Sequence, residues 1–379
     1  MNLALSDEQV FLREAARGAL SRFKTLEAAR EALDGDHSAL PDLWPTAKEA
    51  GWPGLLIDED HGGAGLDAFD AMLVLGECGR VLAAIGLLGH LPATAILNSS
   101  PNAASLLEAL STGERRAAYL PASPPEDLDE RWSVDPAEGL ARADAPTASG
   151  GGAEVGVTGT LAFVPDAPGA DVLVGVALLD GKPVGVAIEA GAAGVSVEAV
   201  TRYDSTRSLG HVSLQDAPAM VLDAPVEELA GAWYLAQALL AAESLGSVET
   251  ALDVSVAYAK ERHTFGRAIG SYQAVKHGLT EVLRQLDNGR SLLYYAGWAR
   301  NGAPAEFPLA ASAARSVGGR ALDQAARTMI SVHGGIGATW EHDAPLYFRR
   351  AQLSRRLLGG TGRATDRVAG ELIMQADAA

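Results

Sequence analysis

Apolar residues recur at helical spacing over the first ~115 positions of the chain. Val10, Phe11, Ala15, Ala19, Leu20 and Phe23 fall on one stripe. Ser6 ahead of Asp7 and Glu8 offers a cap and an acidic first turn, both suited to the positive end of a helix dipole. The same spacing predicts helices over 40–50, 67–88 and 103–110. Gly51–Leu66 (GWPGLLIDEDHGGAGL) interrupts it. Its glycines make it a turn-laden segment, either a buried connection or a ligand-contacting loop. After Gly113 the period changes. Residues 121–156 are rich in Pro, Asp and Gly, and short Val-rich runs follow at 157–164, 171–178, 183–188 and 194–200, continuing at 211–214 and 219–222. Separated by turn residues, these runs predict strands. The Gly/Ala-rich tract Thr147–Gly156 reads as a flexible surface loop. Pro225 marks a return to helix, with long segments over 229–260, 273–298 and 309–332 and a further one from 349 to 358.

This order predicts an α+β multidomain protein: a helical N-terminal domain (1–115), a middle β-barrel or sandwich (116–225) and a C-terminal four-helix bundle (226–379). The C-terminal helices are apolar enough to suggest an additional face buried in an oligomer.

Composition narrows the function classes. Lys and Arg number 30 against 48 Asp and Glu, a formal charge of −18 in 379 residues. Phosphate backbones and anionic membranes repel such a body, although a local basic pocket for a phosphorylated ligand is compatible with it. The single cysteine, Cys78, rules out an intrachain disulfide and a cysteine-based metal site. The eight histidines show no metal-ligand spacing; His90, His211 and His277 read as ordinary core or surface residues. No apolar run is long enough to insert into a membrane, and the N-terminus lacks the features of a signal peptide, so a soluble cytoplasmic protein is expected.

Two C-terminal segments carry more specific chemistry. In Tyr258–Gln273 (YAKERHTFGRAIGSYQ) a helix ends near Arg262–His263 and another opens near Gln273. Arg262 is a planar, permanent cation suited to a pyrophosphate, Thr264 adds a hydroxyl, Phe265 a flat apolar face and Gly266 an approachable backbone. An interhelical turn with Phe265 plugging the core is the alternative. In His333–Gly337 (HGGIG), three glycines in four positions let a ligand or a neighbouring chain approach the backbone.

In this order, after a β-rich middle, the segments resemble the acyl-CoA dehydrogenase family along essentially the whole chain. Gly51-Trp52 with His61–Leu66 is similar to the family's GW…GG-x-G loop. Val157–Val164 followed by Ala170-Asp171 is similar to its middle-domain strands. Glu261–Gly266 with Gln273 resembles its R-x-T-F-G…Q segment, and His333–Gly337 with Leu346–Ala351 its HGG-x-G…Y-x-R-x-A segment. The resemblance implies dimers or tetramers that hold FAD across a subunit interface. Arg262, Thr264 and Phe265 would reach the pyrophosphate and adenosine of the partner subunit's FAD, with Gln273, Gly334 and Gly335 on the same wall. The implied reaction removes the proton α to an acyl-CoA thioester and passes the β hydride to the flavin, which an electron-accepting flavoprotein could then reoxidise.

Two departures from the pattern stand out. The Thr/Ser, Glu-Pro and Gly-Ser-Asp residues that touch the flavin ring have no counterpart in Ala117–Glu126 (AAYLPASPPE). The turn that carries the catalytic glutamate in many members reads Leu357-Leu358-Gly359-Gly360-Thr361, and the alternative base position is Ala236. Glu243, seven residues on, returns to nearly the same helical face but ~10 Å along the axis, too far for its side chain to span. It is either a displaced base or a structural partner of an arginine. Three readings follow. The chain is a homo-oligomeric dehydrogenase with an unusual base. Or it resembles the non-catalytic subunits of heteromeric acyl-CoA dehydrogenases, such as those of bacterial sterol side-chain degradation, which lend FAD contacts in trans. Or it is a related scaffold that binds no flavin, against which the retained Arg262–Gly266 turn argues.

Overall fold

The computed structural model describes residues 4–32, 40–121, 133–134, 142–143, 146–200 and 202–377. The N-terminal part contains α1 (Asp7–Leu20), α2 (Thr25–Glu31), α3 (Trp44–Glu49), α4 (Ala68–Arg80), α5 (Leu87–Asn98) and α6 (Ala104–Ser111). Ser6 caps α1 reciprocally: Gln9 N–H donates to Ser6 Oγ at 3.2 Å, and Ser6 N–H donates to Gln9 Oε1 at 3.1 Å. The single helix predicted over 67–88 is corrected to α4 and the start of α5, separated by a turn with positive φ at Leu82 and Gly86. Periodicity missed α5 because it is buried nearly all round and carries Pro92 in its interior, leaving no amphipathic stripe. Gly51–Leu66 is buried over residues 52–57 and mostly exposed from Asp58 onward. Trp52, Pro53, Leu55 and Ile57 are in the core, and a Cβ on Gly63 would lie 2.0 Å from the Ile57 carbonyl oxygen.

The middle part contains β1 (Ala117–Tyr119), β2 (Ser133–Val134), β3 (Arg142–Ala143), β4 (Thr147–Gly150), β5 (Glu154–Pro165), β6 (Val172–Leu179), β7 (Lys182–Glu189), β8 (Val195–Ala199) and β9 (Leu209–Leu222). Antiparallel pairs β4–β5, β5–β9, β9–β7 and β7–β6, with β6 returning in parallel to β4, close a barrel. β1 and β8 extend it, on β6 and β9 respectively. The predicted loop over Thr147–Gly156 is thus corrected to β4 and the first residues of β5. Its small residues carry little strand propensity, but pairing on both edges and burial of Ala148 override that.

The C-terminal part contains α7 (Val226–Glu261), a hairpin of β10 (His263–Thr264) and β11 (Arg267–Ala268), α8 (Gln273–Gly302), α9 (Phe307–His333), α10 (Ala344–Ser354) and α11 (Gly360–Asp377). The predicted C-terminal helical bundle is built on three long helices, α7, α8 and α9, with α10 and α11 both packed on α9. The helix predicted over 349–358 stops at Ser354 because Leu358, Gly359 and Gly360 all adopt positive φ. α7 runs through the centre, against α4 and α5 on one side and α8 and α9 on the other. It meets α4 backbone to backbone: a Cβ on Gly246 would fall 1.9 Å from the Gly76 carbonyl oxygen, and one on Gly79 1.9 Å from that of Glu243. Only glycine permits that approach, and it sets the position of Glu243 between the helical layers.

Candidate functional site

The residues singled out by sequence form two regions of opposite character. One is an exposed edge. Arg262 ends α7, and its N–H still donates to the Tyr258 carbonyl at 2.8 Å. β10 and β11 then form a hairpin whose two-residue turn, Phe265-Gly266, has φ of 48° and 78°. Phe265 is 94% exposed, so it does not plug the core. Gly270 folds the chain back onto α7, and Tyr272 Oη donates to the Thr264 carbonyl at 3.3 Å, tying the hairpin to the start of α8, where Gln273 is exposed. At the end of α9, Gly334 takes φ 64° and ψ −135°, a conformation reserved in practice for glycine. A Cβ on Gly266, Gly334 or Gly335 would meet nothing within 4 Å, so their backbone is open to an incoming group. Tyr258, one turn before Arg262, stacks on His333, which precedes Gly334, with ring centroids 4.3 Å apart. The Arg262–Gln273 and His333–Gly337 segments therefore share one edge of the helical layer.

The other region is interior and closed. Ala236 is fully buried in α7. At the turn that carries the base in many family members, a Cβ on Gly359 would lie 3.0 Å from the Trp233 ring, and one on Gly360 3.1 Å from the Arg355 carbonyl oxygen. Gln237 Nε2 donates to the Leu358 carbonyl at 3.2 Å, and Arg315 donates to the carbonyls of Ser354 and Leu357. The turn is held from below by an arginine at the end of α10, where a cation is favoured. Burial and then the nearby Arg207 guanidinium push Arg315 down to about 10.

Glu243, seven residues on from Ala236 in α7, is 4% exposed, its carboxylate accepting from both Arg207 and Arg350, the latter at 2.6 Å. Arg350 also donates to Asp204 at 2.7 Å and to the Thr206 carbonyl at 2.7 Å. Burial works against charge on Asp204, but Arg350 and the Thr206 hydroxyl prevail and hold its carboxyl below the usual range. For Arg350 burial is likewise outweighed, by Asp204 and Glu243, so it stays protonated. Asp166, which accepts from the Gly89 N–H at 2.8 Å, is raised by burial. The network joins α5, α7, α10 and the loop between β8 and β9. Sequence reasoning weighed Glu243 against an arginine, but Asp204, Arg207 and Arg350 carry no local signal, since 36 to 146 residues separate the partners.

The space left there is a cavity of about 10 Å³ lined by Ile85, Leu88, Asp166, Thr206, Arg207 and Glu243. It is the size of one water. Larger clefts, of about 640 Å³ and about 250 Å³, lie on other faces of α9. On the barrel side, β1 is buried throughout, and α5 packs so closely that a Cβ on Gly89 would sit 2.7 Å from the Pro165 carbonyl oxygen. Residues 122–126 of the divergent flavin-ring stretch lie outside the described residues. Among the described residues, no group of three or more His, Cys, Asp or Glu could hold a metal, and no helix is long and apolar enough to cross a membrane.

Both ends of the chain match models of a single family: residues 6–123 the acyl-CoA dehydrogenase N-terminal domain, and residues 234–373 its C-terminal domain. The chain belongs to the acyl-CoA dehydrogenase family. It is 32% identical to acyl-CoA dehydrogenase FadE34 of Mycobacterium tuberculosis over 97% of this chain, and it spans 48% of that relative's length. It is 28% identical to acyl-CoA dehydrogenase IpdE2 of Mycolicibacterium smegmatis, covering 94% of this chain and 96% of that one. Among solved structures it resembles a variant of the Tcur3481-Tcur3483 steroid acyl-CoA dehydrogenase, with 27% identity, a TM-score of 0.85 and coverage of 98% and 99%. It also resembles the ChsE4-ChsE5 complex of M. tuberculosis, with 25% identity, a TM-score of 0.83 and the same coverage. The family is one of FAD-dependent oxidoreductases that act on acyl-CoA thioesters.

The exposed edge fits the diphosphate and adenosine end of FAD. The edge built from Arg262, Thr264, Phe265, Gly334 and Gly335 is exposed, cationic and backbone-open, as a diphosphate and a flat base require. The cavity beside Glu243, about 10 Å³, is far below the roughly 300 Å³ of a ligand-sized pocket, and the cleft of about 250 Å³ beside Trp233 and Gln237 approaches it.

Proposed function

We propose that this chain is the flavin-lending, non-catalytic subunit of a heteromeric acyl-CoA dehydrogenase. The observation that carries this reading is that Glu243, the nearby carboxylate on α7, is bound in a buried ion network with Arg207, Arg350 and Asp204, while neither family position for the base holds a carboxylate. FAD, when bound, supplies the hydride acceptor for α,β-dehydrogenation. On this reading the flavin ring and the acyl-CoA sit in the partner, and this chain's residues bind the flavin's other end. Arg262 neutralises the pyrophosphate, Thr264 donates to it, Phe265 covers the adenosine, and Gly334-Gly335 with Gln273 form the adjoining wall. The partner chain supplies the carboxylate base. The likeness to a two-chain complex and to a steroid acyl-CoA dehydrogenase supports a second dehydrogenase subunit as partner and a steroid-derived acyl-CoA as substrate. An electron-accepting flavoprotein would serve the partner's ring, and the cytoplasm is the expected compartment.

Co-expression with neighbouring dehydrogenase genes, followed by flavin counting, tests the proposal. The chain alone should be colourless, and the complex should hold one FAD per pair of chains. A homo-oligomer of this chain that is yellow, and that bleaches with an acyl-CoA, overturns it.

A further inference from the structure

Three rings join the two lending segments. Tyr258 on α7 stacks on His333 at the end of α9, and His333 in turn lies 4.2 Å, centroid to centroid, from His342 just ahead of α10. The hydrogen bonds assign the tautomers. His333 Nδ1 lies 2.7 Å from the Met329 carbonyl, so it carries the proton and donates. His342 Nδ1 accepts from the Ala344 N–H at 3.1 Å, so it is bare, and its proton is on Nε2. His342 thus satisfies one orphan donor of the first turn of α10 only while it is neutral.

We propose that His342 is a positioning residue for the Gly334-Gly335 turn, and that its protonation loosens the flavin-lending edge. A second proton on His342 removes the acceptor for Ala344, sets a cation at the positive end of α10 and crowds the adjacent imidazole. The groups facing it are His333 from α9, with Tyr258 of α7 behind, Arg30 of α2 and its own neighbour Asp343, which pairs with Arg30. Burial, then His333 and Arg30, lowers the pKa of His342; Asp343 pulls the other way and does not prevail. A histidine whose folded pKa lies below its free value near 6.5 contributes stability that is complete above about pH 6.5 and is lost as the pH falls through the folded value. The effect on flavin rests on the lending role proposed above; the effect on the turn does not.

The experiment follows two quantities in the co-expressed complex between pH 7.5 and 5. One is amide exchange of residues 331–343, corrected for intrinsic rates; the other is FAD dissociation. The native chain should lose protection, and bind FAD more weakly, by up to about tenfold per pH unit below 6.5, the slope of one linked proton. His342→Asn keeps a side-chain acceptor for Ala344 without titrating, so both profiles should flatten. Identical exchange profiles in the native and His342→Asn complexes overturn the proposal. Protection that responds to pH while FAD dissociation does not supports the latch and overturns the lending reading.

Discussion

Replacing Glu243 by glutamine separates a base from a structural ion. The substitution keeps volume and removes one charge from a site that is 4% exposed. Arg207 and Arg350 both donate to the carboxylate, and Arg350 keeps Asp204 as its remaining carboxylate partner, with the Thr206 carbonyl beside it. Leaving a buried charge under-compensated costs about 3–5 kcal/mol. At an unfolding entropy of ~2.1 cal/mol/K per residue, 379 residues lose roughly 0.8 kcal/mol per degree near the midpoint. For cooperative unfolding the predicted fall in Tm is therefore about 4–6 °C. Calorimetry on the chain alone and in its complex reads this directly. Flavin bleaching by the complex should survive Glu243→Gln at temperatures where the variant is folded. An unchanged Tm together with abolished bleaching would refute the argument and make Glu243 the base.

Three further outcomes follow from named contacts. Arg262→Ala should weaken FAD binding by the complex roughly 10–100-fold, the equivalent of a charge-assisted bond of ~1.5–3 kcal/mol, and leave Tm unchanged because the guanidinium is exposed. Titration of FAD into the apo-complex checks this. Gly359→Glu should not create an active subunit: φ of 80° and the Trp233 ring 3.0 Å from the new Cβ predict a loss of ~1–3 kcal/mol in denaturant melts and no bleaching by the chain alone. His90 is fully buried, donates from Nε2 to the Pro53 carbonyl and accepts from the Ala117 N–H, and burial lowers it to about 4. Its neutral form therefore contributes about 3 kcal/mol above pH 6.5, lost between pH 6.5 and about 4; His90→Gln should remove one proton from that acid-side slope of Tm against pH.

How much was legible follows from the range over which each signal acts. Cap, period and turn chemistry are local, so Ser6, the α7–α8 junction at Arg262–Gln273 and the Val-rich strands could be placed from sequence alone. The exposed lending edge was legible for the same reason: its arginine, aromatic and glycines lie in two short segments whose spacing is itself the signal. The absence of a carboxylate at Ala236 and at Leu358–Gly360 was equally plain. Where local patterning was missing, the reading failed. α5 has no polar face to mark its period, and β4 is built of small residues that form a strand only because neighbours pair with both its edges. The filled interior belongs wholly to tertiary structure. Glu243 meets Arg350 107 residues away, and Asp204 meets it across 146. Nothing along the chain distinguishes these residues from surface charges. Only the close approach of α4 to α7, allowed by Gly76, Gly79 and Gly246, together with the placing of α10 over the loop between β8 and β9, brings four charges into one dry site and decides that they neutralise each other there.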